Sequence, residues 1–525
     1  MEREYVVVVK NGINISEVDA QMAAAAGDAT IPSRPCECAD PLERSDRMTH
    51  WMLTDEEAEA LRNDERVLDI EIPLKDRTDI SVRPNARQNQ IFDKTATASG
   101  VNWGLSRCSS ATNNFGDGIE TVTENYMYAL DGTGIDVVVM DSGIELDHPE
   151  FQDLNGVSRI KQIDWFAESA GAVSGTQSAS HYTDTDGHGT FCAGVAAGKT
   201  YGWAKNADIY VSKIFDTGKL SVLDALDTLL AWHNNKGTGR PTVVNMSFGY
   251  YYDADVGAKA GDTGSYYNSS TGNMDAWTFG DVGFATAAEV SYRVNVSYIT
   301  NMSLRLSQID ARIDSLVAAG VHVIIAAGNN FDVQYNDTTT TNDGYNDYIL
   351  RASANLGNPC YYHRGASPRT TDNGDDVVVG NISSALRSSL EQTSNSSGRG
   401  PAIDIWAPGT HITSSISSSH DFVTSGTYPE DANYKIGNST GTSFSAPQAA
   451  GLAAMYLQLF PTLTPAQLKE KMISESKTGL LYDLSESQYN AVDKYQYIFS
   501  GGLFGSSTNM LYNRFHGDVL VRRGY

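Results

Sequence analysis

Apolar runs alternate with helix-like segments through the middle of the chain. The apolar runs cover residues 135–140, 208–214, 242–246 and 321–326. Between and after them, apolar residues recur at helical spacing over 220–233 and through a segment that ends at 460. Near-continuous apolar strands separated by helices are typical of a parallel sheet covered on both faces. We therefore predict an α/β fold with a doubly wound, mostly parallel sheet over residues 101–480.

The first 75 residues carry a different pattern. Strand-like segments at 5–9, 49–53 and 67–72 are separated by helical ones, the second of which begins after Thr54. Thr54 is followed by three acidic residues, which is the signature of a capping box at a helix start. This order of elements predicts a small N-terminal α+β domain, an open sandwich with its helices on one face.

The remaining segments divide the chain further. Residues 76–100 are polar and are expected to form an exposed linker, where proteolytic cleavage is easiest. Two polar stretches, near 250–302 and 331–351, are expected to be surface insertions in the 101–480 domain. Residues 481–525 are predicted to form a C-terminal extension that either packs back on the core or docks on a partner.

Composition excludes several classes of protein. The chain has 525 residues, of which 41% are hydrophobic and 19% are charged, as in globular proteins. A net charge of −26 argues against a nucleic-acid or anionic-membrane partner. Five cysteines cannot complete a disulfide framework. No signal peptide or membrane-spanning stretch is visible. We expect a soluble protein that is cytoplasmic or carried in an assembly such as a virion.

Four separated residues are candidates for catalysis. Asp141 follows the first apolar strand, His188 stands between two glycines, Asn329 follows the last apolar strand, and Ser443 begins an apolar helix. Alone, these would be a turn residue, a solvated histidine, a second turn residue and a helix cap. Together they supply what attack on an amide requires: a nucleophile, a base, a group that orients the base, and an oxyanion donor.

The motifs around these residues resemble subtilisin-like serine proteases, with the nearest local similarity to the proteinase K branch. The chain order Asp, His, Ser is that of subtilisin. The motifs that carry the resemblance are Trp103-Gly104-Leu105, Asp141-Ser142-Gly143-Ile144, Asp147-His148-Pro149, Asp186-Gly187-His188-Gly189-Thr190, Ser247-Phe248-Gly249, Ala326-Ala327-Gly328-Asn329, Trp406-Ala407-Pro408-Gly409 and Gly441-Thr442-Ser443-Phe444-Ser445-Ala446-Pro447.

The resemblance implies a serine endopeptidase with a subtilisin-like fold that forms an acyl-enzyme. It implies that Asp141, His188 and Ser443 are the catalytic triad and that Asn329 is an oxyanion donor. It further implies a substrate cleft lined by Ser247, Phe248, Gly249, Ala326, Ala327 and Gly328.

The resemblance also bears on precursors, cofactors and partners. Residues 1–75 resemble the family's inhibitory propeptide, whose tail would occupy the cleft until it is cleaved within 76–100. The chemistry needs no cofactor; structural calcium is expected from the family, with no residues assigned to it. The expected partners are polypeptide substrates, the chain's own propeptide and an assembly partner bound through the C-terminal extension.

Some features depart from the family pattern. The intervals around both insertions are long, and Gln448 follows Pro447 where the family usually has histidine, which we interpret as a packing change. Cys192, four positions after His188, is expected to be a small buried residue rather than a nucleophile. The alternative function is a latent or inactive component of a larger assembly such as a phage virion.

Overall fold

The structure is a computed structural model. It describes residues 2–9, 13–25, 30–39, 48–73, 90–92, 102–119, 126–153, 155–253, 263–268, 273–278, 301–329, 333–334, 349–351, 360–370, 374–420, 425–483 and 502–515. The chain divides into two compact units, residues 1–86 and 87–523. Each unit has a hydrophobic core of its own.

The N-terminal unit is a four-stranded antiparallel sheet with two helices. Its elements are β1 Arg3–Val9, α1 Ile15–Ala23, β2 Glu37–Cys38, β3 Met48–Leu53, α2 Asp55–Leu61 and β4 Val67–Glu71. The strand order is β2-β3-β1-β4. Thr54 caps α2 by accepting from the N–H of Glu57, and the Glu57 carboxylate accepts from the N–H of Thr54 at 2.9 Å. The predicted α+β architecture and capping box are confirmed.

The second unit contains the remaining helices and strands. Its helices are α3 Trp103–Arg107, α4 Trp165–Glu168, α5 His188–Ala197, α6 Val222–Asn235, α7 Ser307–Ala318, α8 Thr442–Leu459 and α9 Pro465–Glu475. Its strands are β5 Gln90–Phe92, β6 Tyr126–Tyr128, β7 Asp136–Asp141, β8 Asp208–Lys213, β9 Thr242–Met246, β10 Tyr250–Asp253, β11 Thr263–Asn268, β12 Asn273–Thr278, β13 Asn301–Leu304, β14 His322–Ala326, β15 Val333–Gln334, β16 Ile349–Arg351, β17 Cys360–His363, β18 Val377–Arg387, β19 Leu390–Thr393, β20 Ile405–Pro408, β21 Ile412–Ile416, β22 Ser425–Thr427 and β23 Lys435–Ser439.

A seven-stranded sheet forms the centre of the second unit. Its order is β19-β18-β14-β9-β7-β8, with β20 paired to β18. All pairings are parallel except that of β18 with β19. The three neighbouring interior strands β14, β9 and β7 are buried at every position, which explains their continuous apolar sequences.

Helices cover both faces of this sheet. Along β7, Val137 and Val139 belong to the hydrophobic cluster that contains α5 and α8, whereas Val138 and Met140 belong to the cluster that contains α6 and α7. Successive side chains of a strand point to opposite faces, so the two clusters are the two sides of the sheet. The predicted doubly wound α/β fold is confirmed.

The two predicted insertions contribute strands to one added sheet. Its order is β12-β11-β16-β17-β15, so strands from the first insertion pair with strands from the second. A separate two-stranded pairing joins β10 to β13. The added sheet extends past the predicted end of the second insertion at 351, because β17 covers 360–363. The other residues of both insertions lie outside the described part.

Part of the predicted C-terminal extension packs back on the core. The N–H of Trp406 donates to the carbonyl oxygen of Asn509, and the N–H of Leu511 donates to that of Trp406, both at 2.8 Å. Met510 and Leu511 are buried in the same cluster as α8. For residues 502–515, the first of the two alternatives therefore holds.

The predicted domain boundaries fall mostly outside the described residues. The linker 76–100, apart from β5, lies outside the described residues, and so do residues 484–501 and 516–525. The boundaries at 75, 100 and 480 stay predictions. Of the helices in the described ranges, none combines the length and apolar character needed to cross a bilayer.

Candidate active site

Asp141 stands at the carboxyl end of β7, which lies between β9 and the edge strand β8. Its side chain is fully buried, and its Oδ1 accepts a hydrogen bond from the backbone N–H of Ser142 at 2.7 Å. In open parallel sheets the carboxyl ends of the strands are where ligands bind. A buried carboxylate is costly unless further donors satisfy it, so Asp141 needs another partner.

His188 supplies that partner. It is the first residue of α5, and its Nδ1 lies 2.8 Å from Oδ1 and 3.0 Å from Oδ2 of Asp141. The flanking glycines permit this approach: Gly187 has a φ of +96°, and a Cβ at Gly189 would lie 2.3 Å from the carbonyl oxygen of Gly143. Because a carboxylate only accepts, Nδ1 of the neutral ring carries the proton and Nε2 is left as the basic nitrogen.

The charge of Asp141 controls the basicity of His188. Burial lowers the pKa of His188, but the charge of Asp141, contributions from Cys192 and the hydrogen bond of Asp141 together outweigh burial and raise that pKa above its ordinary value. Cys192, whose Sγ lies 3.7 Å from Nδ1, adds its charge to the rise only as a thiolate. Burial raises the pKa of the Cys192 thiol to about 11, so the thiol is neutral at neutral pH. Cys192 is a small buried residue, as predicted.

Ser443 lies beside this pair, in the first turn of α8. The ring of the next residue, Phe444, has its centroid 5.6 Å from that of His188. The thiol of Cys192 donates to the carbonyl oxygen of Ser443 at 3.4 Å and so joins the two helices. Ser443 Oγ donates to the carbonyl oxygen of Ser247 at 3.2 Å, and Ser247 Oγ donates to that of Ser443 at 2.9 Å. The structure therefore brings the hydroxyl-bearing turn to the buried Asp–His pair.

Asn329 lies beyond the end of β14 and contacts the start of α8. Its Oδ1 accepts from the N–H of Thr442 at 2.9 Å and from the hydroxyl of Thr442 at 3.1 Å. A backbone N–H only donates, so the atom it contacts must be the amide oxygen, which leaves Nδ2 as a donor. A Cβ built at Gly441 would lie 3.4 Å from this Nδ2, so the amide nitrogen lies at the turn that leads to Ser443.

The two predicted substrate segments follow neighbouring strands. Residues 247–249 follow β9, and residues 326–328 end β14 and continue beyond it; the two strands pair in parallel. Three of the six predicted lining residues are buried, namely Ser247, Ala326 and Ala327. The other three are half-buried, namely Phe248, Gly249 and Gly328.

Two residues that no motif identified lie against these segments. Ala366 accepts at its carbonyl oxygen from the N–H of Tyr250 at 2.9 Å, and the hydroxyl of Ser367 donates to the carbonyl oxygen of Ala326 at 2.6 Å. They follow the second insertion, in a stretch without apolar periodicity, so no sequence signal points to them. Ala366 and Ser367 therefore lie next to the two predicted substrate segments, 247–249 and 326–328.

Gln448 belongs to a buried amide network behind the site. Its Oε1 accepts from Asn102 Nδ2 at 3.0 Å and from Trp203 Nε1 at 2.6 Å, and its Nε2 donates to Asn102 Oδ1 at 2.6 Å. The prediction of a packing role for this residue is confirmed by its complete burial and these contacts.

Asp141, His188 and Cys192 also offer ligand atoms within 4.8 Å of one another. Calcium prefers six to eight oxygen ligands, and a nitrogen and a sulfur in this set do not suit it. The 2.8 Å contact between nitrogen and oxygen is a hydrogen bond, shorter than the roughly 3.3 Å that separates ligands of a tetrahedral zinc ion with bonds of about 2 Å. The group is a hydrogen-bonded cluster rather than a metal centre, and the calcium sites expected from the resemblance have no assigned residues.

Comparison with known proteins extends this picture. The model of the Subtilase family (Peptidase_S8) matches residues 132–496. The chain is 27% identical over 435 residues to "Subtilisin-like protease 8" of Trichophyton verrucosum, a match that covers 79% of this chain and 66% of that protein. It is 26% identical over 445 residues to "Subtilisin-like serine protease Pen c 2" of Penicillium citrinum, covering 83% and 70% respectively. The chain thus spans about two thirds of the length of these relatives.

Solved structures give a further comparison. The chain is similar to a cold adapted subtilisin-like serine proteinase, with a TM-score of 0.46 and 20% identity over 79% of this chain and 98% of that one.

Proposed function

The chain belongs to the subtilase family, and we propose that it is a serine endopeptidase with Asp141, His188 and Ser443 as its catalytic triad. The observation that carries the proposal is the hydrogen bond between His188 Nδ1 and the buried carboxylate of Asp141, made beside the turn of Ser443. An inert assembly component would not need this pair, since burying ionisable groups costs stability. No contact in the described residues favours that alternative.

In the proposed reaction, Ser443 attacks the carbonyl carbon of the scissile bond. Its hydroxyl proton, which points to the carbonyl oxygen of Ser247 in the structure, turns to Nε2 of His188 as the new C–O bond forms. His188 becomes an imidazolium, which the charge of Asp141 stabilises. The same ring then protonates the leaving amine, the C–N bond breaks, and an acyl-enzyme remains. Water attacks this ester by the same route and restores the serine.

The oxyanion of the tetrahedral intermediate needs donors at the start of α8. Asn329 offers Nδ2, because its oxygen is already held by Thr442. The backbone N–H of Ser443 lies in the first turn of α8, where amides have no acceptor within the helix. Two such donors, fixed before the reaction begins, stabilise charge that is absent from the bound substrate and develops in the transition state.

Replacing Asn329 with Ala is expected to lower kcat by about 10²- to 10³-fold while KM changes little, a magnitude known from subtilisin itself rather than obtained from this chain. The reason is that Nδ2 meets an oxygen whose charge develops only during reaction. Steady-state kinetics on a peptide substrate measure both constants. The matched control is Asn438→Ala, since the Asn438 amide donates to the carbonyl oxygen of His411 instead. Equal losses in the two variants would contradict the oxyanion role.

The substrate proposed is an extended polypeptide. The segments 247–249 and 326–328 are backbone at the ends of neighbouring strands, and pairing with substrate backbone tolerates many side-chain sequences. Covalent labelling by a fluorophosphonate and hydrolysis of denatured casein test the activity. A folded chain, freed of residues 1–75, that neither labels nor hydrolyses would contradict the proposal.

Residues 1–75 are proposed to be an inhibitory propeptide. They form a compact unit with its own core, joined to the rest by a polar segment, and their strand and helix order matches the unit predicted from the resemblance. A compact unit with its own core, placed ahead of a chain suited to cleave peptides, is well placed to be removed from it.

We expect the intact chain, when incubated, to yield two products cut within residues 76–100. Mass spectrometry reports the masses of both products, and N-terminal sequencing gives the cleavage position. The Ser443→Ala chain should stay intact under the same conditions. A fully active wild-type chain that keeps residues 1–75, or the same cut in the Ser443→Ala chain, would overturn the propeptide proposal while leaving the peptidase proposal in place.

A further inference from the structure

The first turn of α5, which carries His188, is capped by three side chains from outside the helix. The N-cap residue is Gly187, which has no side chain for this purpose. Free N–H groups at a helix start need acceptors, especially where they are buried. The N–H of His188 donates to Oδ1 of Asp186 at 3.1 Å, and the N–H of Gly189 donates to Oγ of Ser142 at 2.8 Å. The N–H of Thr190 donates to Oδ2 of Asp184 at 2.9 Å.

Asp184 is the centre of this arrangement. Its Oδ1 accepts from the hydroxyl of Ser142 at 2.9 Å and from the N–H of Gly187 at 2.8 Å. Its Oδ2 accepts from the N–H of Thr190 at 2.9 Å and from the hydroxyl of the same residue at 2.5 Å. Asp184 is 3% exposed and Ser142 is 1% exposed, so water has little access to replace a lost bond. Hydrogen bonds to a carboxylate are about twice as strong as neutral ones.

Ser142 connects Asp184 to both members of the Asp–His pair. Its hydroxyl proton goes to Asp184, so its oxygen is free to accept from the N–H of Gly189, the residue after His188. Its backbone N–H donates to Oδ1 of Asp141, the oxygen that lies 2.8 Å from the imidazole. One serine therefore contacts the turn that carries the acid and the helix that carries the base.

We infer that Asp184, acting through Ser142, is a positioning residue that fixes the imidazole of His188 against the carboxylate of Asp141. The inference rests on the proposed function, and Asp184 itself contacts neither the substrate segments nor the reacting atoms. The two elements that it joins, β7 and α5, are 47 positions apart at the catalytic pair, so chain connectivity alone does not hold them in register. A misplacement of about 1 Å in such a pair costs about 10²-fold in rate.

Asp184→Asn keeps the shape of the side chain and replaces one accepting oxygen with an NH₂ group that faces donors. We expect kcat per titrated active site to fall about 10- to 100-fold, with KM changed less than about twofold. We also expect the acidic limb of the kcat/KM profile to move to lower pH, because a tilted imidazole gains less from the charge of Asp141. Steady-state kinetics across pH, on samples titrated to completion with fluorophosphonate, measure all three quantities.

The pH shift distinguishes positioning from mere stabilisation. The charged groups around His188 include Asp141 from β7 and Asp186 from the preceding turn, and the carboxylate of Asp184 adds a further negative charge to this group. Asp184→Asn also removes that charge, whereas Ser142→Ala keeps every charge, so the pH shift in Ser142→Ala reports the geometry alone. A loss of folded enzyme would lower the number of titrated sites, whereas altered geometry changes the rate and profile of each site.

Ser142→Ala provides a second, milder variant for the case in which Asp184→Asn does not fold. Removing one hydroxyl breaks the link between the two elements and should lower kcat about 3- to 10-fold, with a pH shift in the same direction. Because both substitutions break the hydrogen bond between Ser142 and Asp184, the double variant should lose less than the product of the two single losses.

Glu150→Gln is the matched control. Glu150 is another fully buried carboxylate, and it accepts from the N–H groups of Thr200 and Tyr201, both at 2.7 Å, and from the hydroxyl of Tyr428. The control should lower the melting temperature but leave kcat and the pH profile per titrated site unchanged.

The outcomes separate the two proposals. Wild-type chain that is folded, mature and inert would refute the peptidase proposal. Active wild type together with Asp184→Asn or Ser142→Ala variants that match it in kcat and pH profile would refute the positioning role alone. A pH shift of equal size in Glu150→Gln would refute it as well.

Discussion

Replacing Ser443 with Ala should lower kcat by about 10⁶-fold, a magnitude taken from subtilisin, a member of this family. The hydroxyl is the only group of this residue that can form the acyl-enzyme, and its removal also leaves His188 without a proton to accept. Substrate binding and the oxyanion donors remain, so a rate above that in water should persist. Casein hydrolysis and fluorophosphonate labelling measure the loss.

The control for this variant lies two positions further along the same helix. Ser445 is fully buried and its hydroxyl has no hydrogen-bond partner among the described residues, so Ser445→Ala is the same chemical change without a catalytic group. It should keep both labelling and hydrolysis. A Ser443→Ala enzyme that still hydrolyses casein at more than about a thousandth of the wild-type rate would rule out Ser443 as the nucleophile.

The parts of the fold that could be predicted are those with a local cause. Strands β7, β9 and β14 are buried on both faces, so each appears in the sequence as an uninterrupted apolar run. The capping box at Thr54 needs only residues three positions apart. In both cases the structural cause acts within one short segment, so the pattern in that segment is enough to predict the element.

Pairing between distant segments could not be predicted in the same way. The strands β11 and β16 belong to different insertions, and nothing in either sequence identifies the other as its partner. Likewise, residues 510 and 511 form a short apolar group that fits a partner surface as well as the protein's own core. The choice depends on the area buried in three dimensions, which periodicity does not report.

The candidate site was predicted unevenly for a related reason. Asp141, His188 and Ser443 stand in motifs with restrictive glycines, where close backbone approach limits the sequence. Asp184 has no such constraint around it, and an isolated Asp before a glycine-rich turn has many ordinary explanations. Its four donors come from positions 142 to 190, and only coordinates bring them together.

Asp141→Asn should lower kcat by about 10⁴-fold without preventing labelling entirely. The amide is neutral, so it no longer stabilises the imidazolium of His188, and it places an NH₂ group where an oxygen now lies 3.0 Å from Nδ1. That group competes for the position of the Nδ1 proton and favours the tautomer in which Nε2 cannot accept from Ser443. The loss should fall on kcat, because the buried carboxylate does not lie among the substrate segments.

The same variant predicts the direction of a pH shift. In the wild type, the charge of Asp141 holds the pKa of His188 above its ordinary value, so the base is available only above that raised pKa. Without the charge the pKa falls, and the acidic limb of kcat/KM should move to lower pH although the plateau is far lower. Asp136→Asn is the control: Asp136 begins the same strand and pairs with Lys236 at 2.7 Å. It should reduce thermal stability and leave the profile in place, whereas an unmoved limb in Asp141→Asn would show that Asp141 does not govern the base.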